Sequence, residues 1–276
     1  MAVIAMTREM GTLGKDVAQG LADQMGLKVV HHELVEHGVA ERLGMAESAV
    51  HRYLEGNASL LERWKIDSNR LSLYTAEEIL HLAREGSVVI RGWGATGLLR
   101  EVPHVLRVRV CAPMAFRERV MMERLGIKEV GVVRREIERN DAAHARATQG
   151  RFGVDWQDPL LHHMVLNTGS VPIETCVELV RLLAESPAFQ ETEDSRSVIA
   201  DKLLETRIRA VLADPSRSGS DTLDIEPNVR KGTVTLTGMV LQPRLRPEAE
   251  RLVRGVTGVA EVENRIVVLH SRAANV

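Results

Sequence analysis

MAVIAMTREMGTLGKDVAQGLADQMG, residues 1–26, decides how the rest of the chain is read. Residues 2–6 form a short apolar run of the kind a buried parallel strand needs. Gly11, Gly14 and Lys15 follow at once, and an amphipathic stretch then begins with Val17, Leu21 and Met25 on one face. Strand, glycine-containing turn, lysine and helix, in that order, make a phosphate cradle. Glycines let backbone N–H groups crowd around an anion, the helix N-terminus adds partial positive charge, and the lysine adds a whole one. The motif is degenerate. A full Walker A, G-x-x-x-x-G-K-S/T, wants glycine at Glu9 and a hydroxyl at Asp16. The same residues also read as a plain tight strand-to-helix turn.

At 276 residues the chain exceeds what one small domain needs, which favours two. Its 44% hydrophobic and 27% charged residues are ordinary for a soluble globular protein. A net charge of -2 gives no whole-chain argument for nucleic acid or an acidic membrane, and 3% aromatics are too few for a base-stacking surface. No nucleic-acid partner is expected. The first residues do not read as a signal peptide, because Arg8 and Glu9 interrupt a short apolar run. No apolar stretch reaches the roughly 18 residues of a membrane span, so no transmembrane segment is expected. Cys111 and Cys176 read as buried, reduced core thiols, and the expected location is cytoplasmic.

Strand and helix signals alternate through the first two-thirds. Strands are expected at residues 27–31, 87–91, 105–110 and 164–166. Helices are expected at 33–43, through most of 46–82, and at 115–125, 134–151 and 173–183. Repeated strand–helix units with short connections imply a parallel sheet covered on both faces. Residues 186–197 (SPAFQETEDSRS) are polar, acidic and carry Pro187, so they read as a linker. Beyond them come an amphipathic helix at 198–213, a turn-rich loop, and alternating strands at 223–229 and 233–240 joined through Lys231-Gly232. A short helix at 246–254 and a last strand at 259–269 complete a small α+β module.

His31-His32 and His162-His163 tempt a metal reading, but adjacent residues of a strand face opposite ways and cannot chelate one ion. No Cys or His spacing matches zinc, and no nucleophile triad or G-x-S-x-G is legible.

The run Thr7-Arg8-Glu9-Met10-Gly11-Thr12-Leu13-Gly14-Lys15-Asp16-Val17-Ala18 resembles the opening motif of the cytidylate-kinase-like proteins, a branch of the nucleoside-monophosphate kinase, P-loop superfamily. The resemblance continues through Val88-Val89-Ile90-Arg91-Gly92-Trp93-Gly94-Ala95, residues 103–108 and Ala112-Pro113 to Arg117, Arg119 and Val120. It ends with Asp141, Arg146, residues 151–156 and Leu166-Asn167-Thr168. These pieces cover residues 1–186 in order. The tail, with KGTVTLTG at 231–238 and VTGV at 256–259, resembles a BON domain at 198–270, after a linker at 187–197.

The resemblance implies a P-loop kinase-type parallel sheet flanked by helices, followed by a small αββαβ domain. It implies phosphoryl transfer from ATP, with Mg²⁺, to a nucleoside monophosphate such as CMP or dCMP. Gly11, Thr12, Leu13, Gly14, Lys15 and Asp16 would cradle the donor phosphates, Lys15 neutralising the β/γ region and Asp16 being the candidate magnesium ligand. Arg135, Arg139 and Arg146 are the candidate lid arginines, and Arg91, Trp93 and Asp141 the candidate substrate-binding residues. The arginines also read as a solvated helix face beside Glu136 and Glu138, and Trp93 as a core aromatic. The BON module would bind a small ligand, phospholipid or protein. Arg230, Lys231, Arg244, Arg246, Arg251 and Arg254 form its basic rim, unless Glu248 and Glu250 neutralise them.

Four departures stand out. Leu13 sits where a third loop glycine is common, and Asp16 replaces the hydroxyl that ligates magnesium. Trp93 stands where the family usually carries an arginine between glycines, and His144 where a lid arginine is usual. One arginine of that kind is worth on the order of 10³–10⁵ in rate in other phosphoryl-transfer enzymes. Arg91, two residues back on the same strand face, is the candidate substitute. Two functions therefore stay open: a kinase regulated by its BON domain, or a catalytically impaired nucleotide-binding sensor that signals through it.

Overall fold

The computed structural model describes residues 1–30, 32–54, 68–92, 94–214 and 224–269. The element order in the first part is β1 (Val3–Arg8), α1 (Gly14–Met25), β2 (Lys28–Val30), α2 (His32–Leu43), α3 (Glu47–Leu54), α4 (Ser68–Glu85) and β3 (Val88–Arg91). It continues with α5 (Ala95–Leu98), β4 (Val105–Cys111), α6 (Met114–Leu125), α7 (Val130–Phe152), β5 (Met164–Asn167) and α8 (Ile173–Glu185). The strands form one parallel sheet in the order β2-β3-β1-β4-β5. Strand β1 is central, and the chain crosses from one side of it to the other. Ligands in open α/β sheets bind beyond the carboxyl end of the strands at such a crossing.

Because β1 is covered on both faces, its side chains alternate between two cores. Val3 and Ala5 face Val39, Leu71, Ile79 and Leu80 of α2 and α4. Ile4 and Met6 face Val17 and Leu21 of α1, and Val177 and Val180 of α8. Gly20 is where α1 and α8 touch, since a Cβ there would lie 2.8 Å from a Val177 methyl. A smaller cluster, Met121 with Val133 and Ile137, holds α6 to α7.

The structure refines the sequence reading in three places. Strand β1 runs on through Thr7 and Arg8 because β4 pairs with it as far as Arg8 opposite Val110. Of the long helix expected at 46–82, the described residues form α3 and α4, the latter running on to Glu85; residues 55–67 lie outside the described residues. Cys111, expected buried, is half-buried at the end of β4 and aims its Sγ at the Leu166 carbonyl, while Cys176 is buried as expected.

The second part consists of α9 (Glu193–Leu212), β6 (Asp224–Arg230), β7 (Thr233–Val240), α10 (Leu245–Arg254), β8 (Glu261–Asn264) and β9 (Val267–Val268). Helix α9 starts at Glu193, five residues before the expected 198. Thr192 and Ser195 form a reciprocal cap there: the Ser195 amide donates to Thr192 Oγ1 at 3.1 Å and the Thr192 amide to Ser195 Oγ at 2.9 Å. Strands β6 and β7 form the expected hairpin. Its turn uses Lys231 and Gly232, both at positive φ (49° and 78°), as a tight two-residue connection requires. The single last strand expected at 259–269 is interrupted. Asn264 Oδ1 accepts from the Ile266 amide, and β8 and β9 pair separately along β7.

Helix α9 belongs to both cores. Ile199 and Leu203 pack into the cluster beneath α4 and β3, while Leu204, Ile208 and Leu212 pack on the sheet of the second part. Ion pairs reinforce the junction. Glu77 of α4 accepts from Arg42 of α2 and from Arg207 of α9, each at 2.7 Å. Asp201 accepts from the Lys231 and Gly232 amides, tying α9 to the hairpin.

Candidate active site

Beyond the end of β1, residues 9–13 wrap back onto α1. Four of their carbonyls, those of Glu9, Met10, Thr12 and Leu13, are engaged: Thr12 Oγ1 donates to the Glu9 carbonyl at 2.8 Å, and Thr168 Oγ1 to the Thr12 carbonyl at 2.6 Å. Arg117 Nε donates to the Met10 carbonyl at 2.6 Å. The Leu13 carbonyl accepts from the Asp16 and Val17 amides. The amides of Met10, Gly11, Thr12, Leu13, Gly14 and Lys15, by contrast, find no acceptor among the described residues. Six successive N–H groups without an acceptor at a helix N-terminus are the arrangement an anion nest requires. Lys15 is exposed at its rim.

The glycines are steric requirements. Gly11, at φ +81°, would put a Cβ 2.7 Å from the Arg117 carbonyl oxygen of α6. Gly14 would put one 2.8 Å from the Arg8 Cβ. Leu13 adopts the left-handed conformation too (φ 56°, ψ 18°), strained for a side-chain-bearing residue, which explains why glycine suits this position.

Glu9, which displaces the first Walker glycine, shapes the loop. Its carboxylate accepts from Arg109 at 2.6 Å and lies 3.4 Å from Arg117. Arg117 in turn grips both oxygens of Asp141, at 2.9 and 2.7 Å. Arg109 stacks on Trp156, 4.6 Å from the ring, and donates to the Trp156 carbonyl at 2.6 Å. All four charged groups are largely buried and matched, so this network is a scaffold beneath the loop. Asp141, expected to meet substrate, here faces Arg117.

A second set of arginines lies near the strand ends. Arg8 ends β1, Arg91 ends β3, and Arg124 lies in the last turn of α6. Burial, then Arg91 and Arg124, push the Arg8 guanidinium down to about 10, with Asp16 opposing. Burial and Arg124 likewise lower Arg91, again against Asp16. Asp16 is thus a carboxylate within electrostatic reach of these arginines. Sequence reasoning did not single out Arg8 or Arg124. The signal for Arg8 was present: two residues beyond Met6, it shares the face of Met6 and of Arg91, which pairs with Met6.

The remaining expected residues are dispersed. Arg135, Arg139 and Arg146 are exposed on one side of α7, with Arg139 paired to Glu136 at 2.8 Å. His144 lies on the opposite side, its ring 5.5 Å from that of Trp156. Trp93 lies outside the described residues. Gly94 packs closely against α7: a Cβ there would fall 2.1 Å from the Phe152 ring at the end of that helix. His162 is held by the Trp156 carbonyl and His163 by the Arg107 amide, so the pair serves two separate backbone groups. Among the described residues no cluster of three or more His, Cys, Asp or Glu forms a metal site, and no helix is long and apolar enough to cross a membrane.

A helix-flanked parallel sheet in the order β2-β3-β1-β4-β5, with a glycine-containing loop leading from its central strand into α1, is a P-loop kinase-type fold. Residues 3–170 match the cytidylate kinase-like family, and residues 200–270 match the BON domain. The chain belongs to the cytidylate kinase-like family and carries a C-terminal BON domain. It is similar to a cytidylate kinase from Pyrobaculum aerophilum, at 25% identity over 179 residues, 65% of this chain and 90% of that one. Its fold is similar to that of a solved protein from Eubacterium ventriosum ATCC 27560, with a TM-score of 0.54 and 17% identity over 67% of this chain and 99% of that one.

Proposed function

We propose that this protein transfers the γ-phosphoryl group of ATP to a pyrimidine nucleoside monophosphate, CMP or dCMP being the first candidates. The observation that carries the reading is the run of six acceptor-free amides at residues 10–15 with Lys15 beside it. A polyphosphate is the ligand class that such a nest suits best. Family membership supports kinase chemistry, and the Pyrobaculum relative is a cytidylate kinase.

The residues fit the donor and its metal. Residues 10–15 would hold the β- and γ-phosphates, and Asp16 in the first turn of α1 would hold magnesium directly or through water. Magnesium commonly binds through one or two carboxylates plus phosphate oxygens rather than a full protein cage. When bound, the metal neutralises developing charge on the phosphates. The chain's own work is positioning: Glu9, Arg109 and Arg117 keep the loop carbonyls turned away so that the amides face the phosphates. Arg135, Arg139 and Arg146 would reach a transferring group only if α7 turned its exposed side inward.

That last feature favours a second reading, in which the protein binds nucleotide without turnover and reports occupancy through the BON domain. ADP release measured with ATP, magnesium and CMP, dCMP or UMP separates the two, run beside a thermal-shift titration with ATP. Acceptor-dependent ADP is expected for the kinase. Stabilisation by ATP with no acceptor-dependent ADP selects the sensor, and neither signal rejects both.

A further inference from the structure

We propose that the open edge of β5, with the apolar groove between β5 and α8, is the contact through which two copies of this chain pair about a two-fold axis. The pairing is independent of the phosphoryl-transfer reading, because it uses only the sheet edge and α8.

Strand β5 is the outermost strand of its sheet and pairs with β4 alone. Half of its backbone N–H and C=O groups therefore point outward, where another strand can meet them. Proteins ordinarily blunt such an edge with charge, proline or a break, and the other edges among the described residues are blunted. Strand β2 has three residues and opens on the exposed Lys28. Strand β6 carries Pro227, and its Glu226 is held by Arg209 at 2.8 Å. The β8–β9 edge is broken at Asn264 and carries the exposed Glu263. Strand β5, Met-Val-Leu-Asn, has no proline, no charge and no break.

Apolar side chains are exposed on both faces beside that edge. On the α8 face, Met164, Leu179, Leu182 and Leu183, with Glu185 and Ser186, line a groove of about 430 Å³, and Leu182 is 66% exposed. Val165 points to the opposite face and is also exposed, and Leu160, 87% exposed, stands in the turn that leads into β5. Scattered exposed leucines are ordinary, but these adjoin an unpaired strand. The chain itself carries each complement. An open strand edge needs another open edge, and β5 supplies it; the groove takes a leucine-sized side chain, and Leu182 lies beside it. Arg181 shares one stripe of α8 with Glu178 and Glu185, its own partner being Glu185 at 2.9 Å. A partner of a single charge sign would be repelled by part of this rim. A second copy, turned by half a turn, offers both signs and can set the partner's Glu178 against Arg181.

Sedimentation equilibrium of the full chain over a range of concentrations tests the pairing. The mass is expected to rise from that of one chain to that of two and to stop there, because a two-fold contact closes on itself. Leu182→Arg and Val165→Lys are each expected to weaken association by about tenfold or more, with the circular dichroism of the separated chain unchanged. Leu182 is exposed on a helix, so its variant keeps the fold even if Val165→Lys does not. A wild type that stays single at every concentration leaves the edge to a different protein and overturns the proposal. A Leu182→Arg variant that pairs as tightly as wild type, or association that runs on past two chains, overturns it as well.

Discussion

Gly14 carries two duties in one position: it opens the helix that holds the nest, and it leaves room for Arg8 beneath. Adding one methyl group forces the Arg8 stem aside, because a Cβ contact of 2.8 Å is shorter than real side chains allow. Gly14→Ala is therefore expected to destabilise the fold by roughly 1–3 kcal/mol, the range of an overpacked buried site. It should also weaken ATP binding, both read by thermal melts with and without nucleotide; an unchanged melt and affinity would contradict the packing described. At this scale the sequence was informative about the loop and silent about its supports. Gly11 and Gly14 are legible because a tight strand-to-helix loop with such close contacts needs glycine there. Glu9 read only as a missing glycine, since its role depends on Arg109 and Arg117, about 100 positions away. Arg8 read as the end of an apolar run, since only the ladder to Val110 keeps it in the strand.

Among the elements, α9 and the strand ends carry the consequences. Glu77 on α4 is 9% exposed and joins Arg42 of α2 to Arg207 of α9. Glu77→Ala should cost roughly 2 kcal/mol, below the 3–5 of a fully buried pair because both arginines keep solvent contact. Chemical denaturation measures it, and a change under about 0.5 kcal/mol would show that the triad does not hold the helices. A second expectation concerns acid. His104, 2% exposed just before β4, and His162, 7% exposed after α7, both have their imidazoles held below the ordinary 6.5, chiefly by burial. The folded protein keeps them neutral while the unfolded chain takes up protons below about pH 6.5, so stability falls as pH drops through that point. Melting temperature should decline from pH 7 to pH 5, and His104→Leu should flatten the decline; an equal slope in that variant would remove His104 as a cause. Helix and strand types were legible here from periodicity. The start of α9 was not, because SPAFQETEDSRS is polar throughout and its Thr192–Ser195 cap looks like linker composition.

The whole molecule has two sheets but not two independent cores. Ile199 and Leu203, each 1% exposed, leave α9 to fill the first domain, although the matched BON region begins at residue 200. A chain ending at residue 186 would uncover Val102, Leu71 and their neighbours in that cluster. Losing two such side chains should cost several kcal/mol by the scale of buried large-to-small substitutions. The truncated protein is expected to melt well below the full chain, and an equal melting temperature would show that the domains are separable. The alternation of strands and helices announced both architectures, but not that one helix serves both, because each face of α9 reads as an ordinary apolar stripe. The account nevertheless rests on the nest itself, and amide hydrogen exchange of the full chain with and without ATP and magnesium tests it most directly. Exchange across residues 10–15 should slow markedly on nucleotide addition. Unchanged exchange there at saturating ATP would contradict the account.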